Sequence, residues 1–108
     1  MAGQQFELSV VGNQQYNVGD DNVDVEVRFP DGSRYVATFF TLTNIATLFN
    51  KNRETGECLG GLYFWAADMI IVESLEPGTL VATVSGLLED DEFFSAFSSV
   101  PNEGAIEE

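Results

Sequence analysis

The chain has 108 residues, a hydrophobic fraction of 44% and nine Phe, which is enough apolar material for one folded domain and too much for a disordered acidic tail. Eighteen acidic residues oppose four basic ones and histidine is absent, so the net charge is −14. The absence of histidine excludes Ser-His and Cys-His catalytic pairs and the common zinc sites. The shortage of Lys and Arg argues against direct binding of nucleic acid or of an anionic membrane.

The acidic residues are concentrated in the second half of the chain. Residues 54–108 carry twelve acids and no base, whereas residues 1–53 carry six acids and all four bases. A surface of one sign accelerates encounter with a partner of the opposite sign, here a basic protein. The alternative is that the acidity only keeps the domain in solution.

No segment of the sequence predicts a membrane span or a secretion signal. The longest apolar segments fall well short of the ~20 residues that a membrane helix needs, and the first residues lack a basic region followed by an apolar core. Cys58 is the single cysteine, so no internal disulfide can form, which favours a reducing compartment. We therefore expect a cytoplasmic protein.

Two segments near the start alternate between apolar and polar residues. Phe6–Val10 predicts a half-buried first strand, and Val23–Phe29 alternates strictly over seven residues. Each of these strands is expected to have one face in the core and one face in water.

A tight turn follows the second strand. Pro30-Asp31-Gly32 is typical of a three-residue hairpin loop whose Gly adopts the left-handed conformation. With Phe29 opposite Ser33, the next strand, Tyr35–Phe40, places Tyr35 opposite Val27. A slip of one residue would exchange the two faces of the sheet, so this register is strongly specified.

The period then changes from two residues to about 3.6, which predicts a helix over Thr43–Asn50 and its flanks. Thr41 or Thr43 is placed to cap it, and Lys51 and Arg53 suit its C-terminal dipole. The predicted apolar stripe consists of Leu42, Ile45, Leu48, Phe49 and Asn52.

An almost continuous apolar run, Leu62–Val72, predicts the centre of the core. Both of its faces are apolar, as in a strand that is covered on both sides, which would place Phe64 and Trp65 on opposite faces. At ~3.3 Å per residue the run is too long for one straight strand. Either a bend falls at Ala66-Ala67-Asp68, or residues 62–73 form two short strands.

The last third predicts helices. Leu80–Leu88 has apolar residues at helical spacing after Pro77-Gly78. Glu89-Asp90-Asp91-Glu92 forms a charged joint that is placed to cap a short final helix. That helix carries Phe93, Phe94 and Phe97.

Together these elements predict an α+β fold: a single-layer antiparallel sheet of about four to five strands, packed by two or three helices. Residues 1–100 are expected to form one globular domain, and residues 101–108 a frayed C-terminal tail.

Three possible chemical sites are disfavoured. Five side chains have the spacing of a calcium loop, Asp20, Asn22, Asp24, Glu26 and Asp31. Val25, however, occupies the position where such a loop needs Gly. Cys58 has no activating neighbour, and paired carboxylates would need a deep cleft that a core of this size rarely frames. We expect no catalysis, no cofactor and no metal.

The order of elements resembles that of small α+β immunity proteins of bacterial polymorphic toxin systems. The resemblance covers the hairpin at Phe29-Pro30-Asp31-Gly32, the helix Thr43–Asn50 and the block Gly61–Val72, and it rests on size, acidity and general pattern. It implies a cytoplasmic, non-enzymatic inhibitor that binds a toxin domain, often a nuclease with a basic cleft. No binding residue is carried over from it.

The partner-binding candidates come from charge alone: Asp68, Glu73, Glu76, Glu89, Asp90, Asp91 and Glu92. An apolar anchor is expected among them, at Phe93, Phe94 or Phe97. Two other functions remain open, an acidic DNA mimic that inhibits a DNA-binding protein and a structural or adaptor domain. The identity of the partner, the surface that binds it and the oligomeric state stay open as well.

Overall fold

The structure, a computed structural model, describes residues 5–12 and 15–101. The strands are β1 (Glu7–Val10), β2 (Asn22–Arg28), β3 (Arg34–Thr41), β4 (Met69–Val72) and β5 (Ser98–Val100), and the helices are α1 (Leu42–Thr55), α2 (Glu57–Gly61), α3 (Pro77–Glu89) and α4 (Phe93–Ala96). The predicted α+β fold is confirmed, with four helical segments in the described ranges where two or three were predicted. Of the predicted tail, residues 102–108 lie outside the described residues, and Pro101 accepts a hydrogen bond from the Arg34 guanidinium at 3.0 Å.

The sheet has the order β1-β2-β3, and both β4 and β5 pair with the far edge of β3. β4 lies beside Thr38–Thr41 and is parallel to it, whereas β5 lies beside Arg34–Val36 and is antiparallel. Three of the four strand pairs are antiparallel, as predicted, and the β3–β4 pair is parallel. α1 returns the chain to the start of β4, and a helical crossover joins parallel strands whereas a short turn joins antiparallel ones.

The β2–β3 hairpin has the predicted register. The Phe29 N–H donates to the Ser33 carbonyl at 3.0 Å, and Val27 pairs with Tyr35. Gly32 has φ 91°, the left-handed conformation that the three-residue loop requires. Both predictions are confirmed.

One face of the sheet carries the hydrophobic core. α3 and α4 supply its other layer, and the Phe93 ring stacks on Phe97 with centroids 4.3 Å apart. The buried set is Val23, Val25, Val27, Phe29, Ala37, Phe39, Val72, Leu75, Leu80, Val84, Phe93 and Phe97. Burial of these side chains is the main stabilising contribution to the fold.

The opposite face of the sheet is largely polar. The Thr38 hydroxyl donates to Asp24 at 2.7 Å. Glu26 lies 3.4 Å from the Arg28 guanidinium and 3.5 Å from that of Arg34. This solvated face explains the strict alternation of β2, and it leaves Asp24 and Glu26 in a strand rather than in a calcium loop.

The prediction of a long central strand is wrong. Only Met69–Val72 is a strand, and Leu62–Ala67 forms neither a bent continuation nor a second strand. Trp65 is 69% exposed, and Phe64 is half-buried with its ring 5.4 Å from Phe40. Because β5 occupies the remainder of the β3 edge, the earlier residues of the run have no strand to pair with.

α1 begins at a predicted cap but continues past the predicted end at Asn50 to Thr55. The Thr41 hydroxyl accepts from the Asn44 N–H at 3.0 Å, and Gly56 ends the helix with φ 88°. Its apolar stripe, however, does not join the core, and Leu42 is 66% exposed. Asn44 is buried instead, because its amide group bonds Asp20 and Asn22.

α3 and α4 lie where the sequence pattern predicted helices, whereas α2 was not predicted. α3 buries Leu80 and Val84 and leaves Val81 exposed. α4 starts after Glu92, whose side chain makes no capping hydrogen bond, so the predicted cap is wrong. No helix within residues 5–12 and 15–101 has the length and apolar character to cross a membrane.

Candidate protein-binding site

Most acidic side chains in the first half of the chain form hydrogen bonds or ion pairs within the molecule. Asp20 accepts from the Asn44 amide and from the Thr47 hydroxyl, both at 3.1 Å, near the N-terminus of α1 where negative charge is favourable. Asp24 and Glu26 bond neighbours on the sheet face. These carboxylates are used within the molecule, which leaves fewer of them to attract a partner.

Asp68 is the one predicted site residue with such an internal role. The Ser98 hydroxyl lies 2.9 and 2.8 Å from its two carboxylate oxygens, and its carbonyl accepts from the Thr38 N–H at 2.9 Å. Its φ of 51° lets the chain turn into β4. Asp68 therefore ties the starts of β4 and β5 to β3, and we regard it as structural.

The other predicted acids fall into two groups at opposite ends of α3. Glu73 and Glu76 precede the helix, and Glu89–Glu92 end and follow it. The helix has 13 residues. At ~1.5 Å per residue the two groups lie roughly 20 Å apart. The structure thus does not bring the seven candidates together.

The Glu89–Glu92 group has a defined backbone but free side chains. The Asp91 N–H donates to the Leu88 carbonyl at 3.3 Å, and the Glu92 N–H donates to the Leu87 carbonyl at 2.9 Å. This is the Schellman pattern of a helix end, with Asp91 at φ 60° in the position that normally takes Gly. Within the described part of the chain, none of the four carboxylates makes a hydrogen bond or an ion pair.

Phe94 is the exposed member of the three Phe residues proposed as anchors. It is 58% exposed, whereas Phe93 and Phe97 are buried in the core. Its ring centroid lies 5.2 Å from that of Tyr35 and 6.3 Å from that of Phe29. These contacts hold the Phe94 ring in place while one side of it remains open to solvent.

A shallow recess of about 480 Å³ borders Phe94. Its lining comes from the hairpin end and α4, and consists of Gln5, Phe29, Pro30, Asp31, Ser33, Tyr35 and Phe94. We call the recess, together with Glu89, Asp90, Asp91 and Glu92, the acidic aromatic surface. The recess has an apolar floor and one acidic lining residue, Asp31, and Glu89–Glu92 precede its Phe93–Phe94 side in the chain.

Asp31 lines the recess, and the ionised form of its carboxylate is stabilised. The Ser33 hydroxyl donates to it at 2.6 Å and the Ser33 N–H at 2.9 Å, and these two hydrogen bonds lower the pKa of Asp31. Asp31 therefore remains negative well into the acidic range.

No protein-family model, curated protein or solved structure matches the chain. The chemistry of the surface is therefore the basis for inferring function. Across residues 5–12 and 15–101, no three His, Cys, Asp or Glu side chains are grouped in a way that could hold a metal ion. The acidic aromatic surface instead combines an exposed aromatic ring with carboxylates, residue types that occur in protein contacts.

The contribution of the hairpin to this surface was missed at the sequence level. Phe29 and Tyr35 flank the Pro30-Asp31-Gly32 loop, so both aromatic residues lie at the same end of the sheet. The predicted hairpin already placed these two aromatic residues together. The sequence pattern does not show where α4 packs, and the position of α4 brings Phe94 beside them.

Proposed function

We propose that the chain is a non-enzymatic protein-binding domain, an immunity protein that binds and neutralises a basic, nuclease-like toxin domain through the acidic aromatic surface. The observation that carries this proposal is the group Glu89–Glu92, whose four carboxylates have no hydrogen-bond or ion-pair partner among the described residues and closely precede the exposed Phe94 in the chain.

These acids are unfavourable for local stability for two reasons. A helix C-terminus favours positive charge, yet the last turn of α3 has no basic residue and the four acids lie there. Asp91 also occupies a left-handed position where a residue with a Cβ is less stable than Gly. Residues that break local rules without an internal partner are expected at functional sites.

Phe94 supplies the apolar contact that charge alone does not. Aromatic residues at the centre of an interface often dominate its affinity. Because Tyr35 and Phe29 already pack against one side of the ring, little side-chain freedom is lost when a partner covers the other side.

The mechanism has two steps. Net negative charge attracts a basic cleft over several ångströms and raises the association rate constant. Phe94 and its recess then make the short-range contacts that slow dissociation. A nuclease cleft occupied by carboxylates and an aromatic ring is closed to the phosphates of its substrate, which would explain inhibition without catalysis.

The test uses the partner captured from the native host and an assay of its nuclease activity. We expect the chain to inhibit that activity, and the double variant Asp90→Asn with Asp91→Asn to lower the association rate constant in stopped flow. The matched control is Glu73→Gln with Glu76→Gln, which removes two charges at the other end of α3. Phe94→Ala should mainly raise the dissociation rate constant.

Three results would contradict the proposal. One is an acidic partner, and another is a partner whose activity is unchanged in the complex. The third is an association rate constant that falls equally in both charge variants, since this would show that net charge matters but this surface does not. Association should also slow as salt rises past ~0.15 M, where the screening length is ~8 Å.

A further inference from the structure

A second exposed surface lies on the crossover between β3 and β4. Its five side chains are between about half and three quarters exposed: Leu59, Leu62, Tyr63, Trp65 and Ile71. We call this the crossover surface. None of these side chains belongs to the buried core.

The five residues are connected through the structure. The Leu62 N–H donates to the Cys58 carbonyl at 3.0 Å, so Leu59 and Leu62 lie on one turn. Phe64, between Tyr63 and Trp65 in the chain, packs its ring on Phe40. Phe40 in turn pairs with Ile71 across the β3–β4 ladder.

The exposed apolar area of the crossover surface reaches that of the largest patch on a typical monomer. An aromatic side chain alone covers ~150–250 Å² when buried, and the largest apolar patch on a typical monomer is ~300–600 Å². Two aromatic and three aliphatic residues reach that range. With a surrounding polar rim they approach the ~800 Å² that each partner contributes to a standard interface.

Charge distinguishes this surface from the rest of the molecule. From Cys58 to Val72 the only acid is Asp68, and Ser98 binds its carboxylate. Gly61 lies against α1, where an added Cβ would be 2.6 Å from Cγ of Arg53. Neither Lys51 nor Arg53 forms a salt bridge within the described ranges.

We propose that the crossover surface binds a second copy of this chain in a two-fold symmetric dimer. A basic partner would find almost no free carboxylate here and would meet Arg53, which lies beside Gly61, so it is disfavoured. A two-fold contact joins the least acidic part of each copy, which keeps the repulsion between the two negative chains small. It also covers Leu59, which together with Cys58 has a left-handed φ, 54° and 52°, a conformation that costs free energy for residues with a Cβ.

The proposed dimer does not rest on the proposed function, and the two proposals predict opposite effects of added salt. Each copy carries −14, so two copies repel one another, and added salt screens that repulsion and should strengthen the dimer. Binding of a basic partner should weaken under the same change. A head-to-tail contact between the acids of one copy and Lys51 and Arg53 of the next would also weaken, and would form open chains.

Sedimentation velocity over a concentration series provides the test. We expect a monomer–dimer equilibrium that shifts to dimer with salt. The double variant Leu62→Ala with Trp65→Ala should raise its Kd ~30-fold or more, the effect of losing a hot spot. Phe94→Ala, at the other surface, should leave the Kd unchanged.

A second readout does not depend on how well the double variant folds. Trp65 is the only tryptophan in the chain, so dilution of the wild-type protein should shift its emission to longer wavelength as the dimer dissociates. A protein that stays monomeric at millimolar concentration, open-ended oligomers, a dimer weakened by salt, or emission that is independent of concentration would each overturn the proposal.

Discussion

Phe93 and Phe94 are neighbours in the chain with opposite environments. Phe93 is fully buried and contacts Phe97, whereas Phe94 is more than half exposed. We predict that Phe93→Ala lowers the free energy of unfolding by ~3–5 kcal/mol, the usual effect of deleting a buried aromatic side chain. Phe94→Ala should lower it by less than about 1.5 kcal/mol, since much of the ring is already in water. Urea denaturation of both variants measures the difference, and equal losses would show that Phe94 belongs to the core.

The spacing of the three Phe residues already separates Phe94 from the other two. Phe93 and Phe97 are four residues apart, so they lie on one side of a helical turn, and Phe94 does not share that side. Which side faces the core depends on the contact of α4 with the sheet. The sequence pattern therefore predicted the set that contains the anchor, and the tertiary packing selects Phe94 from it.

The hydrogen bonds from Ser33 to Asp31 lead to a prediction about the pKa of Asp31. Loss of the hydroxyl in Ser33→Ala should raise the pKa of Asp31 toward its ordinary value, although the Ser33 N–H still donates to the carboxylate. Ser33→Thr should leave it low. Carboxyl chemical shifts in an NMR titration report this pKa directly, and an unchanged value in Ser33→Ala would show that the hydroxyl bond is not its main cause.

The same hydrogen bonds contribute to stability only over a defined pH range. The folded pKa of Asp31 lies below the unfolded value near ~4, so its contribution to stability is present above that value. The contribution is lost as the pH falls through the lowered folded pKa. No change from this pair is expected between neutral pH and about pH 5.

The end of α3 is the element whose sequence most clearly conflicts with its conformation. Asp91→Gly relieves the left-handed backbone and removes a negative charge from a helix C-terminus. We predict that it raises the free energy of unfolding by roughly 0.5–1 kcal/mol. Asp91→Asn removes only the charge and should raise the free energy of unfolding by about a few tenths of a kcal/mol. A loss of stability in Asp91→Gly would mean that the carboxylate has a stabilising partner in the fold.

Among the elements, short-range patterns gave accurate predictions and the long apolar run did not. The β2–β3 hairpin was predicted correctly because alternation and the Pro30-Asp31-Gly32 turn specify the same register. Leu62–Val72 failed because apolar composition does not reveal which strand edge is available. Three residues with no clear pattern, Ser98–Val100, take part of the β3 edge and limit β4 to four residues.

On the scale of the molecule, charge and exposed apolar area are arranged in two separate regions. Glu89–Glu92 and Phe94 form a surface suited to a basic partner, and the crossover surface has almost no acid. At the sequence level, net charge led to the prediction of a basic partner, which stays a prediction. It did not predict this separation, because the fold binds several carboxylates internally and exposes apolar residues that the pattern assigned to the core.

The last prediction concerns the stability of the whole molecule. With a net charge of −14 and two salt bridges among the described residues, Arg28–Glu26 and Arg34–Glu26, repulsion outweighs attraction. Raising NaCl from 0.01 to 1 M shortens the screening length from ~30 to ~3 Å and should raise the Tm. KCl at equal ionic strength should act equally, since screening does not depend on the identity of the cation. Melts of the Leu62→Ala, Trp65→Ala double variant remove any contribution from dimerisation, and a flat or falling Tm in that variant would show that the unpaired acids do not destabilise the folded chain.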